Sequence, residues 1–225
     1  MDLQDERARA APVIIADGLG VDGEHGPFFS DIRLALAPGL HAVRTSGPPA
    51  QSVLLLTLAG RFKPSRGELS VRGDVEPGKI RRHCAIAAFA DIDELEEAVT
   101  VRTVLAEQRR WLAPWCSRAK AEPAAAVLGE VFAEIPPPPL AKYVADLSDL
   151  EVFLLRIALA LVTDRPILVV GDLEQVRDSA HRALAARRLG ALAARRTVVV
   201  GVANPLGDDA PDHTLHDCRI LLRKD

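Results

Sequence analysis

The stretch HAVRTSGPPAQSVLLLTLAG, residues 41–60, decides how the chain is interpreted. A short apolar segment leads into a turn of small residues, and the run 52–59 then predicts a buried helix that ends near Gly60. A strand, a small-residue turn and a helix are the layout of a phosphate-binding loop. No lysine lies in this stretch, so the residue that gives such loops a positive point charge is missing.

The composition favours an α/β protein. The chain has 225 residues, enough for one sizeable core or for one domain with a large insertion. Hydrophobic residues make up 48% of it and aromatic residues only 4%, which is typical of helices packed on a buried sheet.

Charge and cysteine content narrow the possible partners and compartment. The formal net charge of −3 gives no global basic field, so we expect no nucleic-acid partner. The three cysteines, Cys84, Cys116 and Cys218, are scattered and have no paired spacing. This pattern indicates reduced thiols and not a disulfide framework or a zinc site. The charged first twelve residues do not resemble a signal peptide, and no apolar run reaches the roughly 18 residues that span a bilayer. We expect a cytoplasmic protein, which a membrane partner can hold at the cytoplasmic face of the membrane.

The segments around the opening stretch predict strands. PVIIA (12–16) is short and apolar, and DIRLAL (31–36) alternates like a half-buried strand. Another strand is predicted between two turns in PSRGELSVRGD (64–74). ILVV (167–170) and TVVVGVA (197–203) are continuous apolar runs, which indicates strands of a parallel sheet covered on both faces.

Helices are predicted between and after these strands. Residues 91–146 become acidic and then helix-periodic, which predicts a mostly helical insertion, and the prolines 136–139 are a stiff connector. Ser148 and Glu151 form a capping-box pattern ahead of a long apolar helix that ends at Pro166. Residues 178–196 form an amphipathic helix whose arginines we interpret as a solvated face.

This order of parts resembles the nucleotide-binding domain of ATP-binding-cassette (ABC) transporters. FFSDIRLALAPGLHAV and LLLTLAGRFKPSRGELSVRGD are similar to the family's stretches before and after its Walker A motif. LSDLEVFLLRIALALVTDRPILVVGD is similar to the signature helix with Walker B, and HTLHDCRILLRKD to the closing strand. The resemblance implies a P-loop NTPase-like (RecA-like) core with a mainly parallel sheet at 1–90 and 165–225. It also implies a helical (signature) subdomain at 91–164, inserted in the core.

The resemblance places the Walker A pattern on residues 45–52, and only Ser52 agrees with it. The candidate nucleotide-binding residues are therefore Thr45, Ser46, Gly47, Gln51, Ser52 and Val53. Pro48 and Pro49 carry no backbone N–H, and Gln51 stands where the family has lysine. Arg44 is an alternative source of the missing positive charge.

Asp172 matches the Walker B aspartate. The resemblance makes Asp172 and Ser52 the Mg²⁺ ligands if nucleotide binds, and Asp172 and Glu174 the possible catalytic residues. Leu173 stands at the position of the family's catalytic glutamate, and leucine is not a base. Glu174 follows one residue later, and an extended segment would turn it away.

Other family positions are also changed. Ser148 of the signature remains, but Asp149 and Leu150 replace its two glycines, and an aspartate there brings negative charge to an anion site. The switch histidine falls on Ala203 or Asn204. Phe89 falls near the glutamine position, and Gly23 near that of the adenine-stacking aromatic.

We interpret the chain as an impaired ABC ATP-binding subunit, a pseudo-ATPase. The resemblance implies ATP and Mg²⁺ as cofactors, a homodimer or a heterodimer with another cassette, and docking on a transmembrane permease. A working ATPase with unconventional residues and a free-standing regulatory module are the alternatives. Two minor hypotheses also stay open. Residues 213, 216, 217 and 218 (His, His, Asp, Cys) suggest a metal site, and Trp111 and Trp115 suggest a partner contact.

Overall fold

The computed structural model describes residues 10–90, 92–112, 124–207 and 209–219. The strands are β1 (Ile14–Gly23), β2 (Gly26–Leu36), β3 (Leu40–Arg44), β4 (Arg66–Val71), β5 (Cys84–Ala87), β6 (Ile167–Asp172), β7 (Thr197–Gly201) and β8 (Thr214–Asp217). The helices are α1 (Pro48–Leu58), α2 (Pro77–His83), α3 (Val101–Leu112), α4 (Ala124–Phe132), α5 (Asp149–Leu161) and α6 (Ser179–Leu192). Short 3₁₀ turns lie at Val144–Asp146 and Leu173–Gln175.

The main sheet confirms the predicted α/β core. Its five strands run in the order β5-β6-β7-β3-β8, and each neighbouring pair is parallel. Strands β6 and β7 are almost entirely buried, as their continuous apolar sequences require when helices cover both faces.

The two faces of the main sheet belong to two apolar clusters. Alternate side chains point to opposite faces of a strand. Val43, Ile167, Val169 and Val199 pack with α1 and the small sheet. Ala42, Leu168, Val170, Val198 and Val200 pack with helices α3 to α6. The sheet is therefore sandwiched between α1 with the small sheet on one side and the later helices on the other.

A second, antiparallel sheet of order β2-β1-β4 was not predicted. Strand β1 continues to Gly23, well beyond the predicted end at residue 16. Its register with β2 shifts between Ala16 and Leu19 and again before Asp22, and Gly18 has a φ of 60°. These irregularities break the two-residue alternation by which a strand is recognised in a sequence.

The segment predicted as mostly helical contains α3 and α4, and α5 follows it. The predicted capping box is confirmed at the start of α5, where Ser148 is the N-cap. Trp115, Cys116 and the side chain of Trp111 lie outside the described residues, so the partner contact suggested for these tryptophans stays a prediction. No helix in the described parts of the chain combines the length and apolarity needed to cross a bilayer.

Candidate functional site at the carboxyl edge of the main sheet

Three segments meet where β3, β6 and β7 end. Because parallel strands place their carboxyl ends at one edge of a sheet, ligands of such folds bind there. Residues 45–47 connect β3 to α1, the 3₁₀ turn 173–175 follows β6, and residues 202–204 follow β7. This edge holds most of the predicted site residues.

Helix α1 begins at Pro48, four residues earlier than the sequence predicts. Gly47 is the N-cap in an extended conformation, and the N–H of Gln51 donates to the Gly47 carbonyl at 3.0 Å. The hydroxyl of Thr45 donates to the same carbonyl at 3.0 Å. Proline is favoured in the first turn of a helix because the N–H groups there have no partner within the helix. The first two helical residues thus lack a donor, and only Ala50 supplies one in the first three positions.

The Gln51 side chain points into the protein. It is 5% exposed, and its Nε2 donates to the carbonyls of Val202 at 2.9 Å and Val43 at 3.3 Å. A Cβ at Gly201 would lie 2.7 Å from the Gln51 Cδ, so the amide packs directly on the backbone of β7. Gln51 therefore ties the ends of β3 and β7 together.

Glu174 reaches the segment after β7. The Asp172 Oδ1 accepts from the Glu174 N–H at 3.0 Å and caps a 3₁₀ turn. Because the segment is a turn and not an extended strand, the condition under which Glu174 would point away is not met. Its Oε1 accepts from the N–H groups of Ala203 at 2.9 Å and Asn204 at 3.1 Å. Its other oxygen, Oε2, is buried and has no hydrogen-bond partner among the described residues.

The two carboxyl groups shift each other's titration. Burial raises the pKa of Asp172 to about 7, and the neighbouring carboxyl of Glu174 raises it as well. Burial alone would raise the pKa of Glu174, but interaction with Asp172 and the N–H groups of Ala203 and Asn204 holds it below its usual range. The pair therefore carries its first negative charge on Glu174, where backbone donors already stabilise it.

The remaining loop candidates lie to either side of Gln51. Ser46 is exposed, and Ser52 and Val53 are half-buried on α1. Arg44 ends β3 opposite Asp217 of β8. The hydrogen bonds from Arg219 lower the pKa of Asp217 to about 2, and the charge of Arg44 contributes to this shift. Arg44 thus lies beside a carboxylate-bearing residue of the neighbouring strand.

Ser148 is occupied by the cap of its own helix. Its hydroxyl accepts from the Glu151 N–H at 3.2 Å and donates to the Glu151 Oε2 at 2.9 Å. The Ser148 N–H donates to that same oxygen at 2.8 Å, and Lys142 contacts the carboxylate at 3.1 Å. These contacts account for the serine as a helix cap.

Sequence reasoning missed Arg156, which joins α5 to this edge. Its side chain is buried and donates to Asp93 at 2.5 and 3.2 Å, to the Phe89 carbonyl at 2.6 Å and to the Gln175 Oε1 at 2.8 Å. Gln175 in turn donates to the carbonyls of Ala88 and Asp172, each at 2.7 Å. The sequence did contain a signal for this residue, because a single arginine inside the apolar run LLRIALAL (154–161) indicates a buried charge that needs a partner.

The suggested histidine-containing metal site is not formed. No three His, Cys, Asp or Glu side chains are grouped to hold a metal ion in the described ranges. His216 Nε2 lies 3.0 Å from His41 Nδ1, and His41 Nε2 lies 2.7 Å from the Ala37 carbonyl. His213 instead contacts the Pro211 carbonyl at 2.9 Å. Because a carbonyl only accepts, the neutral pair forms a directed chain from His216 through His41 to Ala37.

The histidine pair predicts acid sensitivity. Burial, with a contribution from His41, lowers the pKa of His216 from 6.5 to about 4. The unfolded chain therefore binds the proton first, so stability is full above about pH 6.5 and falls towards pH 4. We expect the free energy of unfolding to fall by about 1–2 kcal/mol, a value already reduced for solvent screening of the partly exposed ring. Urea unfolding at pH 7 and at pH 4.5 measures this difference. His216→Gln should lose part of this pH dependence, whereas the exposed His25→Gln should keep all of it.

Solved structures with a similar fold are ABC transporter components. CbiO1 from Clostridium perfringens, part of the ABC transporter complex cbiONQ, is 16% identical with a TM-score of 0.69, covering 86% of this chain and 79% of that chain. A putative ABC transporter ATP-binding protein from Pyrococcus furiosus is 17% identical with a TM-score of 0.66. The match covers 89% of this chain and 96% of that chain. A structure of an ATP binding subunit of an ABC transporter is 18% identical with a TM-score of 0.61. The match covers 84% of this chain and 79% of that chain.

The chain is thus an α/β protein with a P-loop NTPase-like core. More specifically, it has the fold of the ATP-binding subunits of ABC transporters. No protein-family model and no curated protein sequence matches it.

Proposed function

We propose that this protein is an ABC transporter ATP-binding subunit that has lost nucleotide turnover and serves as a structural partner of a transmembrane permease. The observation that carries the proposal is the start of α1. Pro48 and Pro49 remove two donors from the helix end that a phosphate would face, and the amide of Gln51 is turned inward onto two carbonyls. The helix end thus lacks the donors and the cation of a phosphate cradle.

The residues at this edge do not fit ATP with Mg²⁺. A phosphate cradle needs consecutive N–H groups and a positive charge. Here the carboxylate of Glu174 occupies the two N–H groups after β7. Asp172, the candidate metal ligand with Ser52, already uses its Oδ1 to accept the Glu174 N–H and cap the 3₁₀ turn. The residues at this edge therefore support no hydrolytic step.

The alternative of a working ATPase assigns catalysis to Asp172 and Glu174. Glu174 would have to leave Ala203 and Asn204 before orienting a water. Arg44, the alternative cation, lies opposite Asp217 of β8 at the end of β3. Both geometries favour the pseudo-ATPase over the working enzyme.

A groove between the sheet and α3 supports docking on a partner. It has a volume of about 410 Å³ and contains Arg156 with Asp93. Its apolar lining is Ile86, Ile92, Leu95, Val99, Val104, Leu159 and Ala160, and its further carboxylates are Glu94, Glu96 and Glu107. An apolar floor with an acidic rim fits an amphipathic helix that carries basic residues. We assign this groove to a cytoplasmic helix of the permease.

The proposal also includes the oligomeric assembly of the protein and the boundaries of its subdomains. CbiO1 is described as part of a transporter complex. By analogy we propose that residues 91–164 form the helical subdomain that meets the permease, with 1–90 and 165–225 as the core. A homodimer or a heterodimer with a competent cassette would form at the cytoplasmic face of the membrane. In a heterodimer this chain would contribute a structural half-site only.

Affinity purification of the tagged chain from detergent-solubilised membranes of its source organism tests the docking. We expect a polytopic membrane protein to co-purify with the natural chain, and its recovery to fall at least about tenfold with Ile92→Arg, since Ile92 is a 51% exposed groove residue. The matched control is Val75→Arg, because Val75 is 67% exposed and lies outside the groove. Absence of a membrane protein, or equal recovery with Ile92→Arg, would favour a free-standing regulatory module.

A further inference from the structure

Three arginines converge at the opposite edge of the main sheet, where β5 and β6 begin. Arg165 precedes β6, Arg81 lies in α2 just before β5, and Arg61 follows α1. The Arg165 Nη1 donates to the carbonyls of Arg81 and Cys84, each at 2.7 Å. The Arg81 Nη1 donates to the Gly60 carbonyl at 3.2 Å. These contacts hold the three positions together on the backbone.

Arg61 and Arg81 are exposed and Arg165 is half-buried, and no carboxylate of the described residues pairs with any of the three. Burial lowers the pKa of Arg61, and the charges of Arg165 and Arg81 lower it as well. Within the described ranges none of the three forms an ion pair, although other arginines of the chain do. Asp164, the sequence neighbour of Arg165, is exposed and makes no ion pair there. The chain has 31 acidic side chains against 28 basic ones, so a scarcity of carboxylates does not explain the arrangement.

Carbonyl capping explains only part of this cluster. Arg81 and Arg165 satisfy carbonyls where α1 and α2 end, and cations are favourable at helix carboxyl ends. Each guanidinium has five N–H donors, and these contacts use one nitrogen of each. The Arg61 side chain makes no hydrogen bond to a described residue, so capping does not account for it.

We propose that Arg61, Arg81 and Arg165 form a binding site for a phosphate group. Guanidinium groups bind phosphate through paired, charge-assisted hydrogen bonds, and the carbonyl contacts of Arg81 and Arg165 orient them in advance. The site is distinct from the candidate nucleotide edge. The six residues of β6 separate the two edges by about 20 Å.

A cavity lies beside Arg165, and of the three arginines in the proposed site only Arg165 lines it. Its volume is about 560 Å³, and it is lined by Arg165, Arg195 and Arg196 with Glu130 and Asp164. Glu130 pairs with Arg196 at 2.8 Å. The proposed ligand class is a small soluble anion that carries at least one phosphate.

Calorimetric and thermal-shift titrations with inorganic phosphate and diphosphate test this site, at constant ionic strength maintained with chloride. We expect saturable binding that Arg61→Gln weakens at least about tenfold and Arg102→Gln changes less than twofold. Arg102 is an exposed arginine of α3, far along the chain from the cluster. Without phosphate, the melting temperature of Arg61→Gln should equal or exceed that of the natural chain, because the substitution relieves repulsion between positive charges. If Arg61 had a purely structural role, the substitution would lower the melting temperature.

One further variant separates this inference from the proposed function. Asp172→Asn changes the candidate nucleotide edge and should leave phosphate binding unchanged. Binding that Asp172→Asn abolishes and Arg61→Gln does not would place the anion at the nucleotide edge and overturn the inference. Absence of saturable binding, or equal binding by Arg61→Gln and the natural chain, would also overturn it.

Discussion

Replacement of Arg156 by methionine should lower the free energy of unfolding by up to about 3–5 kcal/mol, the cost of breaking a fully buried ion pair, because Arg156 is buried and Asp93 is half-buried. The variant leaves the Asp93 carboxylate without its cation, and the Phe89 carbonyl and the Gln175 side chain each lose a donor. Methionine keeps the length of the buried stem, so packing loss contributes little. Urea unfolding at pH 7 measures the change.

Two controls make this prediction specific to the buried network. Arg102→Met removes an exposed arginine from α3 and should change stability by less than about 0.5 kcal/mol. The double variant Arg156→Met with Asp93→Asn should cost less than the sum of the single variants, because it leaves no unpaired buried charge. A cost below about 1 kcal/mol for Arg156→Met would mean that the contacts to Asp93 and Gln175 do not hold α5 to the core.

Rebuilding the phosphate loop should create nucleotide binding. The rebuilt variant carries Thr45→Gly, Pro48→Gly, Pro49→Ser, Ala50→Gly and Gln51→Lys. It restores two N–H donors and one cation, and each charge-assisted hydrogen bond contributes about 1.5–3 kcal/mol. We expect Mg·ATP to bind at least about 100-fold more tightly than to the natural chain, because 1.4 kcal/mol corresponds to a factor of ten. Calorimetry measures the dissociation constants.

The single variant Gln51→Lys is the matched control for the rebuilt loop. It should leave ATP binding nearly unchanged, since the prolines remain and the side chain at position 51 starts beside the Val43 and Val202 carbonyls. If Gln51→Lys alone bound ATP as tightly as the rebuilt variant, the prolines at 48 and 49 would not be what prevents binding.

The sequence is informative where structure is local. Ile167–Val170 and Val198–Val200 are continuous β-branched and leucine runs, and both became central strands of the parallel sheet. Ser148 and Glu151 stand at capping-box spacing, and both reciprocal hydrogen bonds are formed. In these segments a few neighbouring residues determine the outcome.

The structure could not be predicted from the sequence where it depends on contacts between distant segments. The bulges of β1 depend on its pairing with β2 and β4, so its length was underestimated. The contact of Glu174 with Ala203 and Asn204 depends on a turn that Asp172 caps. Arg156 and Asp93 are 63 positions apart, and nothing in the spacing connects them.

Calorimetric titration of Mg·ATP into the natural chain, up to millimolar concentrations, tests the central claim most directly. Arg61→Gln and Asp172→Asn are titrated alongside, so that heat from the arginine cluster is distinguished from heat at the candidate nucleotide edge. The pseudo-ATPase account predicts no saturable heat beyond any that Arg61→Gln removes. A micromolar dissociation constant that persists in Arg61→Gln and is lost in Asp172→Asn would contradict it.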